Sequence, residues 1–590
     1  MPLPKGGPGF RVCVRMHSLS RIWLEAEAFP EQSRALSERY GLPLPVARLL
    51  AQRGLTADAD IEAFLEPRLE RLSDPFLLPD MDKAVSRIWK ALQDQESILI
   101  FGDYDVDGVT STAFLSRVLE QLGGRVQRFI PNRKDDGYGL SPESITHCLQ
   151  TFDPDLVITV DCGTGSAEAV ELARQHGVDV VVTDHHEANG DVAGAHALVN
   201  PKLGDQEGLR MLAGVGVTFK LCHALIKWGR AENIPASHQV DMRPLMYLVA
   251  LGTVADMVPL MGENRILARY GIEVLNRLPD PGIEALVKNA KIQQEMSSYH
   301  IGFVLGPRIN AAGRIDSPDI ALEMLLSQSP RHADRQAKIL EKANKERQSI
   351  EELIREEAIE KLEPTYDPNV PGVLVVASRG WHAGVVGIVA SRLVRRFHRP
   401  AIVISVAEDG IGRGSCRSIE GFDLIQHLQV AEDLLLQYGG HRMAAGLDIH
   451  EKDIDEFRTR INRRAVEIMA DTDLRPRQHI DAWIELADLT DDFLDAQNRL
   501  MPFGHDNPVP VWGIRNLEIE KVHTVGRERQ HLRILFQTPN GIQDAIGFGL
   551  GDREQIQGPV DIAFQLRRNV FRGEARLQLM LQDIRPAINL

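Results

Sequence analysis

At 590 residues the chain is too long for one hydrophobic core and calls for three or four domains, with 43% hydrophobic and 25% charged residues typical of a soluble globular protein. A formal charge of −16, from 67 basic and 83 acidic residues, makes the protein as a whole repel nucleic acid, so such a partner would have to be met by local basic clusters. Five scattered cysteines without a CxxC pair speak against a disulfide framework and a zinc site and fit a reducing cytoplasm, and no apolar run reaches signal-peptide or membrane-spanning length.

The opening residues read as disordered, with Met16 as a second candidate start. Leu19 to Asp80 alternates short helical stretches with Pro and Gly, as in LPLPVARLLAQRGL and IEAFLEP; these are expected to be small helices packing on the next domain, without chemistry of their own. From Met81 a helix to about Leu92 leads into SILIFGDYDVDGVTSTAFL, residues 97–115. Ile98 to Phe101 is the continuous apolar run of a strand buried on both faces, and it stops in Asp103, Asp105 and Asp107. Alternation along an extended backbone would turn these carboxylates the same way, and no Lys or Arg between Ser97 and Leu115 neutralises them. Gly108 permits a tight turn, and a helix is expected from Val109. A calcium loop would need a preceding helix and a carboxylate at its twelfth position; here a strand precedes and that position is Phe114.

Apolar runs separated by helix-length segments then repeat: RVQRFIP, DLVITVD, VDVVVTDHH and AHALVNP, the pattern of a parallel, doubly wound sheet. DLVITVD ends in Asp161, and VVVTD ends in Asp184-His185-His186, at the carboxyl ends where open α/β sheets place ligands. A further run, LMYLVALGTVADMVPL, delivers Asp256. One Asp after a strand is usually a helix cap and a lone His usually structural, but four such sites in succession are hard to assign to capping. Carboxylates with imidazole suit Mn or Mg, and paired divalent ions about 3.5 to 4 Å apart clamp the oxygens of a phosphoryl displacement. Asp105 and Asp107 can each face a different ion, with Asp161, Asp256 and His185 completing the set.

Pro330 to Glu363 carries apolar residues at helical spacing among dense alternating charges and reads as one long exposed helix, a connector rather than a coiled coil. Beyond it come the strand GVLVVAS, the helix VVGIVASRLVRRF and the strand PAIVISV. The glycines of GIGRGSCRS and YGGHRMAAG would let a backbone approach a phosphate chain, and Arg413, Ser415, Arg417 and Ser418 among them strengthen that reading. Trp381 and His382 are stacking or hydrogen-bonding candidates, although a Trp at a strand end is more often core. Past Arg475 short alternating runs with turn residues suggest about five strands closing a small barrel. Arg527, Arg529, Arg533, Arg567, Arg568 and Arg572 with Phe536 and Phe571 fit a strand-tracking surface as well as they fit an ordinary solvated face.

The motifs DYDVDG, VDCGTG, DHH and GTVADMVPL together resemble the DHH phosphoesterase superfamily. GPRINAAGRI (306–315), GWHAGVVGIVASRL (380–393), GRGSCRS (412–418) and GGHRMAAG (439–446) are similar to its RecJ family of bacterial single-stranded-DNA exonucleases, including the DHHA1 domain, and the likeness spans most of the chain. The resemblance implies an α/β fold: a DHH parallel-sheet domain over 81–329 after an N-terminal extension (1–80), a connecting helix (330–365), a smaller α/β DHHA1 domain (366–470) and a C-terminal OB-like β-barrel (471–590). It implies two Mn2+ or Mg2+ ions on Asp105, Asp107, Asp161, His185 and Asp256, catalytic positions at His186, Asp103 and Asp184, and substrate contacts at Arg133, Arg314, Ser415, Arg417, Arg308, His382 and His441. The superfamily's pyrophosphatases carry a His four residues before the first aspartate of the pair; Phe101 stands there, which argues against that activity and makes Asp103 a candidate substitute ligand.

The implied function is a cytoplasmic 5′-to-3′ exonuclease that hydrolyses single-stranded DNA to mononucleotides in DNA repair and recombination. A single-stranded-DNA-binding protein is a partner implied by the resemblance alone, and no membrane is involved. The alternative enzyme is a small-nucleotide phosphodiesterase acting on oligonucleotides or cyclic dinucleotides, for which the terminal barrel and long connector would be superfluous. A binding protein that has lost its metals is a third class, opposed by the intact carboxylates.

Overall fold

The computed structural model describes residues 21–131, 139–188, 190–278, 280–315, 317–364, 366–368, 370–469, 473, 475–538, 541–571 and 574–588. The described chain groups into two compact units. One holds Asp58–Thr472 together with Met501–Pro508; the other holds the chain up to Ala57 with Asp473–Leu500 and Val509–Leu590.

The larger unit is built on a parallel sheet whose strands lie in the order Arg125–Phe129, Ser97–Gly102, Leu156–Val160, Asp179–Thr183, Ala197–Val199. Its apolar runs are continuous because both faces are covered. Ile98, Ile100, Leu156 and Ile158 enter one core with helices Val106–Gln121 and Gly214–Ala231, whereas Leu99, Phe101 and Val157 enter another with helix Ala167–Gln175. The strand order reverses between Ser97–Gly102 and Leu156–Val160, and such a switch point opens a crevice beyond the carboxyl ends of its strands.

One predicted strand is a helix. LMYLVALGTVA forms helix Met246–Ala255, buried nearly all round, with Asp256 at its C-cap. A continuous apolar run does not separate a buried helix from a buried strand, and this one has helix length. The acidic loop also differs from expectation. Asp105 is the N-cap of helix Val106–Gln121 and Asp107 lies in its first turn, so helical geometry replaces the extended alternation there.

Helix Pro330–Leu362 has its predicted length but is not exposed throughout. Ala333, Leu340, Arg347, Glu351, Ile354 and Ala358 are buried along it, which anchors it to the helices on either side. After it a mixed sheet runs in the order Leu435–His441, Ala444–His450, Ile411–Arg417, Ala401–Val406, Leu374–Arg379, backed by helix Ala383–Phe397.

The second unit contains a sheet of strands Ala482–Trp483, Trp512–Leu517, Val560–Phe571, Glu574–Pro586, Gly541–Gly547, His531–Thr538 and Ile519–Val525, in that order. The small helices Pro30–Tyr40 and Leu44–Gln52, expected from sequence to pack on the next domain, group with this unit. Strand Ile22–Glu25 pairs in parallel with Arg477–Ile480, and Trp23 stacks on Trp483 with ring centroids 6.0 Å apart, so these local contacts carry the preceding chain into the C-terminal unit. Among the described residues no helix is long and apolar enough to cross a membrane.

Candidate active site

The crevice at the switch point gathers the acidic loop, the end of strand Leu156–Val160 and the histidine pair. Asp107, His185 and Asp256 each bring a ligand atom within 4.8 Å of the others; Asp103, Asp105 and Asp161 do the same, as do Asp161, His185 and His186. His185 Nε2 is 3.1 Å from Asp161 Oδ1 and 3.6 Å from Asp256 Oδ2, so the groups share walls. The residues suit divalent metal. Asp161 Oδ1 and His185 Nε2 are buried without a hydrogen-bond partner among the described residues, and no Lys or Arg there forms an ion pair with Asp105, Asp107, Asp161 or Asp256. Oxygen and imidazole donors converging in this way are the donor set of Mn and Mg.

Backbone geometry holds the cluster open. Asp107 accepts from Gly214 N at 2.7 Å and Val215 N at 2.8 Å, at the start of helix Gly214–Ala231, where the helix dipole favours negative charge. A Cβ on Gly214 would lie 2.5 Å from Asp161 Oδ1, and one on Gly252 2.6 Å from Asp107 Oδ1, so both positions must stay bare. Asp161 itself is left-handed, with φ of 62°, a conformation that Asp adopts more readily than most residues.

The electrostatics follow from burial. Desolvation, then Asp256 and Asp105, push the Asp107 carboxyl well above its usual range; desolvation, then Asp107, do the same to Asp161. Asp256 is pushed up to about 7 by burial and by Asp105. Burial, then His186, bring His185 down to about 4, leaving it a neutral imidazole suited to ligate. His186 behaves oppositely. Burial works against its charge, but the 2.8 Å contact of Nδ1 with Asp184 Oδ1 outweighs it and raises His186 to about 9. For Asp184, too, burial is outweighed: His186, helped by the Thr164 N–H at 2.9 Å, holds its carboxyl far below the usual range. Asp184 also receives the His185 and His186 N–H groups, so it positions the pair from behind.

A second set of residues gathers where helices Gly306–Ile315 and Ala383–Phe397 meet strand Ile411–Arg417. Arg314, Ser415 and Arg417 line one cavity of about 470 Å3, with Arg308. Arg314 Nη1 donates to Gly384 O at 2.8 Å, and Arg417 Nη1 to Cys416 O at 2.8 Å. Arg308 is bound to Glu341 at 2.8 Å and Val304 O at 2.7 Å, as a structural ion pair would be. His382 lines a neighbouring cavity of about 640 Å3 with Arg413 and Tyr438, and His441, exposed at a strand end, helps Lys202 hold the Glu187 carboxyl down. Arg133 lies outside the described residues. Trp381 is core: it is buried and its Nε1 donates to Glu357 Oε2 at 2.7 Å.

Sequence reasoning overlooked the residues that join these two sets. Asn310 Oδ1 accepts from Val106 N at 3.0 Å, and a Cβ on Gly313 would lie 3.0 Å from Tyr104 O. Helix Gly306–Ile315 therefore grips the acidic loop with one side and the Gly384 region with Arg314. Asn200 is a second omission; its Nδ2 donates to Thr164 Oγ1 at 2.8 Å and His186 O at 2.9 Å. Neither carries a distinctive signal, since Asn within a helix or after a strand usually caps or turns.

Comparison with known proteins gives three family matches: the DHH family, N-terminal domain, over residues 97–253; the DHHA1 domain over 371–467; and the RecJ OB domain over 480–583. The single-stranded-DNA-specific exonuclease RecJ of Dickeya dadantii is 37% identical over 92% of this chain and 96% of its own length. That of Bacillus subtilis is 36% identical over 94% of this chain and 70% of its own length. Among solved structures, RecJ from Thermus thermophilus in complex with Mn2+ matches with a TM-score of 0.81 at 28% identity, covering 96% of this chain and 80% of that one. The same protein in complex with Mg2+ matches with a TM-score of 0.75, covering 96% and 78%.

Proposed function

Because this chain belongs to the RecJ family of DHH phosphoesterases, we propose that it degrades single-stranded DNA from the 5′ end, releasing mononucleotides. It is a metal-dependent single-stranded-DNA exonuclease with Mn2+ or Mg2+ as cofactor. The observation that carries the reading is the un-neutralised carboxylate and imidazole cluster at the sheet's switch point, which helix Gly306–Ile315 links through Asn310 to the cavity of Arg314, Ser415 and Arg417. The small-nucleotide alternative is not favoured, because relatives named for single-stranded DNA match over nearly the whole chain, the C-terminal region included.

When bound, two divalent ions would polarise the phosphodiester and lower the pKa of water, and Asp105, Asp107, Asp161, His185 and Asp256, with Asp103, would hold them. The other roles fall to the chain itself. His186, raised to about 9, is a cation at neutral pH, and its half-exposed ring can donate Nε2–H to a phosphate oxygen while Nδ1 stays on Asp184. Arg314 and Arg417 offer guanidinium forks and Ser415 a neutral donor for a terminal 5′ phosphate, which would fix the next phosphodiester over the carboxylates. We assign the metal site to 81–329, the connector to 330–365, the terminal-phosphate contacts to 366–470 with Arg314, and strand tracking to 471–590. A cytoplasmic role in repair and recombination beside a single-stranded-DNA-binding protein completes the proposal.

The test is digestion of single strands labelled at either end, with Mn2+ present or chelated. Loss of the 5′ label first, only with metal, is expected; release of the 3′ label first would reverse the polarity.

A further inference from the structure

The cavity that contains Arg314, Ser415 and Arg417 does not end at them. It continues between helix Gly306–Ile315, the connecting helix and helix Ala383–Phe397, where Arg347, Arg392 and Arg395 join its walls. Six arginines face a single carboxylate, Glu351, among the described lining residues of a protein whose formal charge is −16. That carboxylate is shared, with Arg347 Nη1 at 2.8 Å and Arg392 Nε at 3.0 Å, and Arg308 is matched by Glu341, so a surplus of positive charge remains on the Arg347, Arg392, Arg395 and Arg417 wall. Arg347 is buried and spends Nη2 on Asn344, yet its Nε has no partner among the described residues. A buried guanidinium N–H without an acceptor is costly unless a ligand supplies one. Arg392 and Arg395 are exposed at the outer wall.

The neighbouring cavity of about 640 Å3, walled by the glycine-rich strands, shares Arg314, Ala383, Gly384 and Ser415 with this one. Arg314 and Ser415 thus stand where the two spaces meet. A strand lying along the glycine-rich side with its terminal phosphate on Arg314, Ser415 and Arg417 would point anything attached beyond that phosphate into the arginine cavity.

We propose that this cavity receives the outer phosphates of a strand whose 5′ end is a triphosphate, so that the enzyme takes ends laid down by a polymerase as well as ends made by cleavage. The inference rests on the 5′-end polarity proposed above. In the first turnover, water adds to phosphorus of the first phosphodiester and the P–O3′ bond breaks. The proton goes to the leaving 3′ oxygen, and the product is a nucleoside 5′-triphosphate. The remaining strand begins with a 5′ monophosphate and continues as an ordinary substrate.

The experiment uses the full-length protein with Mn2+ in excess over phosphate and one oligodeoxynucleotide bearing a 5′ hydroxyl, monophosphate or triphosphate. Triphosphate ends should be consumed at least as efficiently as monophosphate ends, with nucleoside 5′-triphosphate as the first product by chromatography. Arg392→Ala with Arg395→Ala, both at exposed positions, should raise KM for triphosphate ends by roughly tenfold or more and leave monophosphate ends unchanged. Inorganic tripolyphosphate should compete with triphosphate ends in the wild type and not in the double variant. Resistance of triphosphate ends, release of pyrophosphate first, or equal losses on both ends in the variant would overturn the proposal. Tripolyphosphate inhibition that is not competitive would also overturn it, because the cavity would then hold a free effector. Consumption from the 3′ end, or no preference for 5′ monophosphate over hydroxyl, would instead overturn the polarity on which it rests.

Discussion

The two compact units handle charge in opposite ways. In the larger one Asp105, Asp107, Asp161 and Asp256 crowd together without a Lys or Arg ion pair among the described residues, and burial pushes Asp107, Asp161 and Asp256 upward. In the smaller one three of the arginines that look like a binding surface in sequence are spoken for: Arg529 by Glu554, Arg533 by Asp544, and Arg568 by Asp491 and Asp495. Charges satisfied inside a fold at an exposed surface contribute little and imply no ligand. Like charges buried together are unstable alone, and their persistence implies one.

The largest effect expected from this contrast is at Asp161, where the metal-ligand groups overlap. Asp161→Asn keeps the shape and the tolerance of φ near 62°, and should lower the rate by about a thousandfold or more while circular dichroism and strand binding persist. Near-normal turnover under saturating Mn2+ would show that the carboxylate cluster is not the reaction centre.

Arg417 sits between the extremes. It is half-buried, burial lowers its pKa, and its Nη1 bonds a backbone carbonyl rather than a carboxylate, so its charge is available to a phosphate. Arg417→Ala should cost roughly tenfold to a hundredfold in kcat/KM on 5′-phosphorylated strands and far less on 5′-hydroxyl strands, with metal affinity unchanged. Equal losses on both would make Arg417 a general backbone contact.

A smaller effect is expected from metal removal, and its pH dependence has a definite sign. Carboxyls whose folded pKa is raised bind more protons folded than unfolded, so their contribution is complete below the ordinary carboxylate value of about 4 and is lost as pH rises through about 7, the value for Asp256. Chelation should therefore leave the melting temperature nearly unchanged at pH 4 and lower it by a few degrees at pH 8, with Mn2+ restoring it. The same shift at both pH values would mean that the cluster is not strained by its own charge.

The parallel sheet, the connecting helix and the strand ends at Asp161 and Asp184 were legible because period and length state them directly. Asp256 was found for a partly wrong reason: its apolar run satisfies strand and buried helix alike, and only tertiary packing makes it a helix. What sequence does not carry is pairing. The acceptor at Asn310, the donor at Asn200, the bond between Arg308 and Glu341, and the carboxylates opposite Arg568 all join residues far apart in the chain. Phe536, an attractive stacking residue by position, is fully buried in the C-terminal sheet, while Phe571 and Arg572 have no described side chain. Alternation along a strand says that a side chain points outward and not whether an aspartate waits beside it, which is why the pairs at Arg533 and Arg568 are not legible in the sequence.

The smallest effect is expected at those arginines, and it needs point variants rather than a truncation. Cutting the chain after Arg475 would remove Met501 and Pro502, which belong to the larger unit and supply backbone acceptors to the guanidinium of Arg265, a residue only 1% exposed. A loss of activity on truncation would then report a destabilised catalytic unit. It would also strand Ile22–Glu25 without its partner Arg477–Ile480. Arg533→Ala and Arg568→Ala avoid both effects. Each removes one charge already matched by a neighbouring carboxylate, so the double variant should change affinity for long single strands by less than about twofold, as expected for exposed ion pairs. Binding should still weaken with salt, because the slope of log affinity against log salt counts only phosphates actually neutralised. If the double variant lowers that slope by about two, the pairs break when DNA arrives and the C-terminal sheet tracks the strand through Arg533 and Arg568 after all.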